Sequence, residues 1–403
     1  MLIANPHASL KPYPTALRQI MNMAAADESL RWLSAWDQLA DAATPLHALP
    51  DQASRLGVAQ IHVKDESVRS PLGSFKALGA PVALLRLILR RWPEMDIDPS
   101  QLIRGAYADL VKDFTVISAT DGNHGRALAA AAKTIGCACV IVLHANVSLE
   151  REEAIAAYGA KIVRIAGNYD ASVEEAARLA AEHGWEVVSD TSYDGYEDIP
   201  RDVMQGYGAI AAEAVRQAPA PFTHVILQGG VGGLAAGIIS YLWERYGEDR
   251  PTFIVVEPQQ ADCLYQSARL GYPAVATGSV DSVMAGLACG ETSPLAWKFL
   301  AESVDYFMTI SDDDAIAAMI RLAKGGERDV PMVSGESGAA GFAGLEVLCA
   351  NRDLFADVGL GAEARILLVS TEGATAPRVY RDLVGESAEA VMARQTAHLR
   401  RSL

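Results

Sequence analysis

Lys76 stands in Ser74-Phe75-Lys76-Ala77-Leu78-Gly79, shortly after an alternating run at 61–66. A lysine in an apolar setting loses solvation as an ammonium, so its pKa is expected to fall and a Schiff base with an aldehyde is favoured. Two later stretches suit such an amine. Thr120-Asp121-Gly122-Asn123-His124-Gly125 is a polar loop ahead of an Ala-rich segment, and Gly229-Gly230-Val231-Gly232-Gly233-Leu234 follows an apolar run. In the glycine loop, backbone N–H groups can converge on an anion, and the dipole of a following helix adds to the attraction. No Lys-Ser/Thr pair follows, which excludes a nucleotide P-loop. Amine, polar loop and anion nest together point to pyridoxal phosphate as cofactor. Its ring hydroxyl would meet Asn123, and its ring nitrogen Ser370 or Thr371, at the end of the last apolar run. A hydroxyl on that nitrogen favours elimination at the β carbon over transamination. A competing pattern runs through Gly230, Gly232 and Ala235, which fit G-x-G-x-x-A, with Glu257 where a ribose-binding acid would fall. A nicotinamide-dependent or non-catalytic binding protein is therefore the alternative outside this chemistry.

These groups need a scaffold of alternating strands and helices. Strands are expected at 61–64, 114–119, 138–143, 161–165, 186–189, 224–228, 253–257 and 364–370. Helices are expected at 31–40, 52–57, 75–91, 123–135, 149–158, 171–183, 201–218, 234–246, 312–324 and 338–350. Such alternation predicts an α/β fold of two domains, each a mostly parallel sheet flanked by helices. The expected division is a large cofactor-binding domain of 1–84 with 190–403, and a small inserted α/β domain of 85–189. Residues 1–30 show no strong period and read as an arm laid on the fold or on a second subunit. Residues 263–310 read as less regular than the rest.

The chain of 403 residues is long enough for two domains, and half of it is apolar. A net charge of −16 argues against a nucleic-acid partner, which needs a basic surface. Five cysteines are too few for a disulfide framework, and none forms C-x-x-C, so no metal site is expected. Cys263 and Cys289 fall in the irregular region and read as reduced thiols rather than a bonded pair. There is no secretory pattern at the N-terminus and no apolar stretch of spanning length, so a cytoplasmic protein is expected, with no membrane partner.

The strings SFKALG, SATDGNHGRA, QGGVGGLAAG, SGESGAAG and STEG, in that order, resemble the tryptophan-synthase-like, or fold type II, pyridoxal-phosphate enzymes. The resemblance runs from about Pro45 to Val384. TDGNHGR, VVSDT, GYEDIP, MQGYG and MAGLACGE resemble one branch of it, the diaminopropionate ammonia-lyases. One departure is Ala374, where that branch usually has Asp after TEG. The resemblance implies a carbon–nitrogen lyase acting on a small amino acid: α,β-elimination of D- or L-2,3-diaminopropionate to pyruvate and two ammonia. It also implies a homodimer. A serine or threonine dehydratase, or a β-replacement enzyme of the same fold, is the nearer alternative.

Within that frame the carboxylates take on roles. Asp121 reads as a helix N-cap, as the holder of a substrate β-ammonium, or as a base for the D isomer on the face opposite Lys76. Asp190 ends the run at 186–189, where parallel sheets place ligand groups, and is expected near the substrate's amine. Thr120, Gly122 and the N–H groups of their loop are expected to bind the substrate's α-carboxylate. His124 belongs to the same loop, where packing or capping also explains it. Glu336 resembles the family's acid near the cofactor ring.

Overall fold

Two sheets carry the fold in the computed structural model of the chain, which describes residues 1–120, 122–145, 147–167 and 169–401. Their strands are β1 (Leu2–Ala4), β2 (Leu46–Ala48), β3 (Gln60–Asp65), β4 (Thr115–Ala119), β5 (Ala138–Leu143), β6 (Lys161–Arg164), β7 (Glu186–Val187), β8 (His224–Gln228), β9 (Thr252–Pro258), β10 (Tyr306–Ile310) and β11 (Arg365–Ser370). The larger sheet has the order β1-β10-β9-β8-β11-β3-β2, and the smaller β6-β5-β4-β7. Among the strands of the described residues, only the two edge strands of the larger sheet, β1 on β10 and β2 on β3, pair antiparallel. Interior pairs such as Ile366 with Ile61, and Val116 with Cys139, are parallel. Parallel strands are covered on both faces, so β8 is buried along its whole length and reads as a continuous run, HVILQ, rather than an alternating one.

The covering helices are made of small residues. Asn123–Ile135 buries an unbroken series from Ala127 to Ala132. Asp198–Gln217, the longest helix, crosses the turn that carries Lys76. Gly206 is what lets it: a Cβ there would stand 1.9 Å from the Leu78 carbonyl oxygen. The same helix is pinned by charge. Arg69 bonds both Glu66 and Glu213 at 2.8 Å, and Lys64 reaches Glu213 at 2.7 Å, all of them buried. Such a cluster persists only because each charge is paired.

Three expectations are corrected. The N-terminal residues do lie on the fold, one of the two placements expected for them, but as regular elements rather than an unpatterned arm. They form β1, paired in register with β10, and the helices Thr15–Ile20 and Met23–Leu33, whose place the helix expected at 31–40 takes only in part. The stretch 263–310 is regular at its ends, with helices Cys263–Leu270 and Pro294–Ser303 and strand β10, and holds only the 3-10 turn Ala285–Leu287 among the described residues between the two helices. Residues 75–91 are two elements, a 3-10 turn Phe75–Leu78 and a helix Ala80–Arg91. Among the described residues, no helix is long and apolar enough to cross a membrane.

Candidate active site

Loops from the C-terminal ends of strands in both sheets meet in one place, where open parallel sheets hold ligands. From the larger sheet come the turn with Lys76 beyond β3, the glycine loop after β8, and Ser370 to Gly373 after β11. From the smaller sheet come Thr120 and Asn123 after β4, and Asp190 after β7.

Lys76 Nζ donates to Asp190 Oδ2 at 2.5 Å. The two side chains keep 21% and 23% of their surface exposed, so the pair is reachable from outside. The Lys76 amine also lies 5.1 Å from the Phe75 ring centre and 5.7 Å from that of Tyr207. The fall expected for the Lys76 pKa does not occur. Burial disfavours the ammonium, but the Asp190 carboxylate, with help from Tyr207, outweighs it and raises the pKa. Burial likewise works against the Asp190 carboxylate, and Lys76 and then His124 override it to hold its pKa well below the usual range. His124 also neighbours Asp190, with Nδ1 3.8 Å from the same Oδ2. Its Nε2 lies 2.9 Å from the Val188 carbonyl oxygen, to which it donates.

Asn123 belongs to a second cluster. Its Nδ2 donates to Glu372 Oε2 at 2.5 Å, and Glu372 Oε1 accepts the Ser337 N–H at 3.3 Å. Glu336 is buried beside Glu372. Desolvation first, and the Glu372 charge second, push its carboxyl up to about 7. Ser370 Oγ donates to Ser334 Oγ at 2.8 Å, and Thr371 is buried next to it, its carbonyl accepting the Phe75 N–H.

The glycine loop is shaped for an anion. Gly230 and Gly232 have φ of +64° and +101°, which side-chain-bearing residues rarely adopt. Among the described residues, the N–H groups of Gly230, Val231, Gly233 and Leu234 find no backbone acceptor. They sit at the N-terminus of the helix Gly233–Tyr246. A Cβ on Gly233 would lie 3.8 Å from the Asp190 carbonyl oxygen, which puts the nest beside the Lys76–Asp190 pair. The donor set and its open N–H groups fit a phosphate. The dinucleotide alternative loses its acid. Glu257 is fully buried and accepts the N–H groups of Leu264 and Tyr265 at 2.9 and 2.7 Å, so it faces a helix start and no ribose.

Thr120 is turned on its own loop, its Oγ accepting the N–H groups of Gly122 at 3.2 Å and Gly125 at 3.4 Å. Asp121 lies outside the described residues. Two residues in the site were not singled out in the sequence. Glu372 stood inside the string STEG, and Tyr207 inside MQGYG, and neither shows its place without the fold. Tyr207 packs against Phe75 with the rings tilted by 58° and their centres 4.7 Å apart, and burial pushes its hydroxyl up to about 12.

A family model described as pyridoxal-phosphate dependent enzyme matches residues 38–372. The chain is 42% identical to the diaminopropionate ammonia-lyase of Salmonella typhimurium over 359 residues, 85% of this chain and 88% of that one. It matches the crystal structure of holo diaminopropionate ammonia lyase from Escherichia coli with a TM-score of 0.87, at 35% identity, over 95% of this chain and 96% of that one. The same Escherichia coli enzyme in complex with D-serine matches with a TM-score of 0.86, at 35% identity, over 97% and 98%.

Proposed function

The chain belongs to the pyridoxal-phosphate-dependent enzyme family, and from that premise we propose that it converts 2,3-diaminopropionate to pyruvate and two ammonia by α,β-elimination. The observation that carries this reading is the Asp190 carboxylate, 2.5 Å from the Lys76 amine in a reachable site. A substrate with two amines brings an extra ammonium, and a partly desolvated carboxylate is its complement. A substrate that loses a hydroxyl has no use for one.

The open N–H groups of Gly230, Val231, Gly233 and Leu234 would hold the cofactor's phosphate, with Gly229 and Gly232 shaping the loop. Lys76 would anchor its aldehyde. Asn123 would meet the ring hydroxyl through the N–H that Glu372 does not take, and Ser370 or Thr371 the ring nitrogen. Glu336, beside Glu372, would stand near the ring. Bound pyridoxal phosphate supplies an electron sink for charge developing at the substrate's α carbon.

The chain's own groups then handle protons and charge. Lys76 Nζ accepts the α proton on its own face once it is free of the aldehyde. Asp121 is assigned the proton on the opposite face, for the D isomer, on the strength of its place in TDGNHGR. Asp190 holds the β-ammonium and keeps it protonated as a leaving group. The loop of Thr120, Gly122 and His124, at the N-terminus of the helix Asn123–Ile135, takes the α-carboxylate.

An assay of pyruvate and ammonia with D- and L-diaminopropionate, D- and L-serine and L-threonine tests this. Diaminopropionate should give the highest kcat/KM. Turnover of serine or threonine alone would replace the reading with a dehydratase.

The two sheets support reading 1–84 with 190–403, and 85–189, as the two domains. For the assembly we assign a homodimer, with Leu270, Tyr272 and Val275 as exposed apolar surface for it. A monomer in light scattering at micromolar concentration would reject it. The free thiols of Cys137, Cys139, Cys263 and Cys349 accord with a reducing, cytoplasmic setting.

A further inference from the structure

We propose that Tyr207 is a positioning residue whose hydroxyl takes the Lys76 amine when Asp190 turns to a substrate's ammonium. The inference rests on the reading of Asp190 as the holder of the β-ammonium. That carboxylate already accepts from Lys76 Nζ, at 2.5 Å. An arriving ammonium competes for it, so the lysine needs a second acceptor. The need is sharpest once substrate has freed the lysine, because its nitrogen must then be held on its own face of the α carbon to take the proton.

Tyr207 supplies that acceptor. It is only 1% exposed, and its hydroxyl has no hydrogen-bond partner among the described residues. The charges that bear on the hydroxyl are Lys76 first and Asp190 second. Lys76 Nζ stands 5.7 Å from the centre of the Tyr207 ring, yet it donates to Asp190. A rotation about the last bonds of the lysine side chain separates the two partners. The tyrosine itself is boxed in. A Cβ on Gly79 would stand 2.6 Å from Tyr207 Cε1 and 2.7 Å from its hydroxyl oxygen, and a Cβ on Gly237 would stand 2.9 Å from Tyr207 Cβ. Phe75 covers the ring with centres 4.7 Å apart. Two glycines thus make room for a hydroxyl that bonds nothing, although an unpaired buried hydroxyl costs stability and a phenylalanine would not. A partner that arrives only during the reaction accounts for it. A tyrosine oxygen accepts an N–H while keeping its own proton, so the handover needs no change in the charge of either group.

The test is a double-mutant cycle of thermal midpoints in the full chain without added cofactor. Tyr207→Phe keeps the ring and deletes the unpartnered hydroxyl, so in the wild-type background the midpoint should hold or rise. Asp190→Ala takes the carboxylate from Lys76 and leaves Tyr207 as its acceptor. In that background Tyr207→Phe should lower the midpoint by about 1 °C or more. With pyridoxal phosphate loaded, kcat of Tyr207→Phe should fall about tenfold for diaminopropionate and stay within about twofold of wild type for D-serine, which brings no second ammonium. Equal midpoint changes in the two backgrounds overturn the proposal, and so does a wild-type kcat of Tyr207→Phe on diaminopropionate. The kcat comparison decides if Asp190→Ala does not fold. A wild type that forms no product from diaminopropionate, with the reversal of sign in the midpoints intact, sinks the proposed function and leaves Tyr207 as the lysine's second acceptor.

Discussion

Asn123 Nδ2 donates to Glu372 Oε2 at 2.5 Å, which ties the first turn of a helix on the smaller sheet to the loop that ends the larger one. The backbone of Glu372 also bridges Ser74, two residues before Lys76. Glu372 thus orients the amide and adjoins the turn of the lysine. Glu372→Ala removes a charge-assisted hydrogen bond of about 1.5–3 kcal/mol and frees the amide to rotate. Affinity for pyridoxal phosphate, measured by spectroscopic titration of the stripped protein, should fall by roughly tenfold or more. Unchanged affinity would show that Asn123 is held by other means.

Lys76→Ala should abolish both the visible absorbance of the lysine-bound cofactor and product formation. The variant also leaves Asp190 partly buried with its nearest cation gone, so its thermal midpoint should drop. A coloured or active variant would remove Lys76 from the role assigned to it.

Asp121→Asn separates the two functional readings of that carboxylate. If it is the base for the D isomer, kcat for D-diaminopropionate should fall by about 10²-fold or more while the L isomer is spared. Equal losses on both isomers point to a grip on the β-ammonium instead.

Glu336 makes stability depend on pH in a stated direction. Its carboxyl is raised from an ordinary 4.5 to about 7, so between these values the folded chain binds a proton that the unfolded chain has lost. Stability should therefore fall as pH rises through that window, by a few kcal/mol at most. Glu336→Gln, which cannot ionise, should flatten the decline in denaturant midpoints between about pH 4.5 and 7. An unchanged slope would assign it to another group.

Gly206→Ala tests the approach that sets the height of the Lys76 turn. Its methyl would meet the Leu78 carbonyl oxygen, a backbone atom that no rotamer change can move. The expected loss is at least about 1–3 kcal/mol, read as a lower thermal midpoint, with cofactor uptake weakened in the same variant. A wild-type midpoint would mean that the helix and the turn separate without penalty.

Much of the fold was legible because the helices and strands repeat their burial pattern locally. The helix Asn123–Ile135 and the strands β5 and β8 fall where the alternation puts them, since each buries the same faces along its length. The edges were not legible. β1 is three residues long and gains its place only from β10, some 300 residues away, so residues 1–30 carry no period of their own. The stretch 263–310 misleads for a related reason: its helix Cys263–Leu270 starts on the Glu257 carboxylate, a cap that comes from another element.

The sequence by itself determined the cofactor class, because an amine, an anion nest and an amide are recognisable by residue type and order. It determined the parallel architecture for the same local reason. Only the tertiary structure decided which charges meet. Lys76 and Asp190 are 114 residues apart, and Asn123 and Glu372 are 249 apart. Strand crossovers bring them together, and no local pattern records the contact. That meeting reverses the direction expected for the lysine's pKa. An apolar setting alone lowers an ammonium's pKa, but a carboxylate 2.5 Å away contributes an attraction that outweighs the lost solvation and raises it.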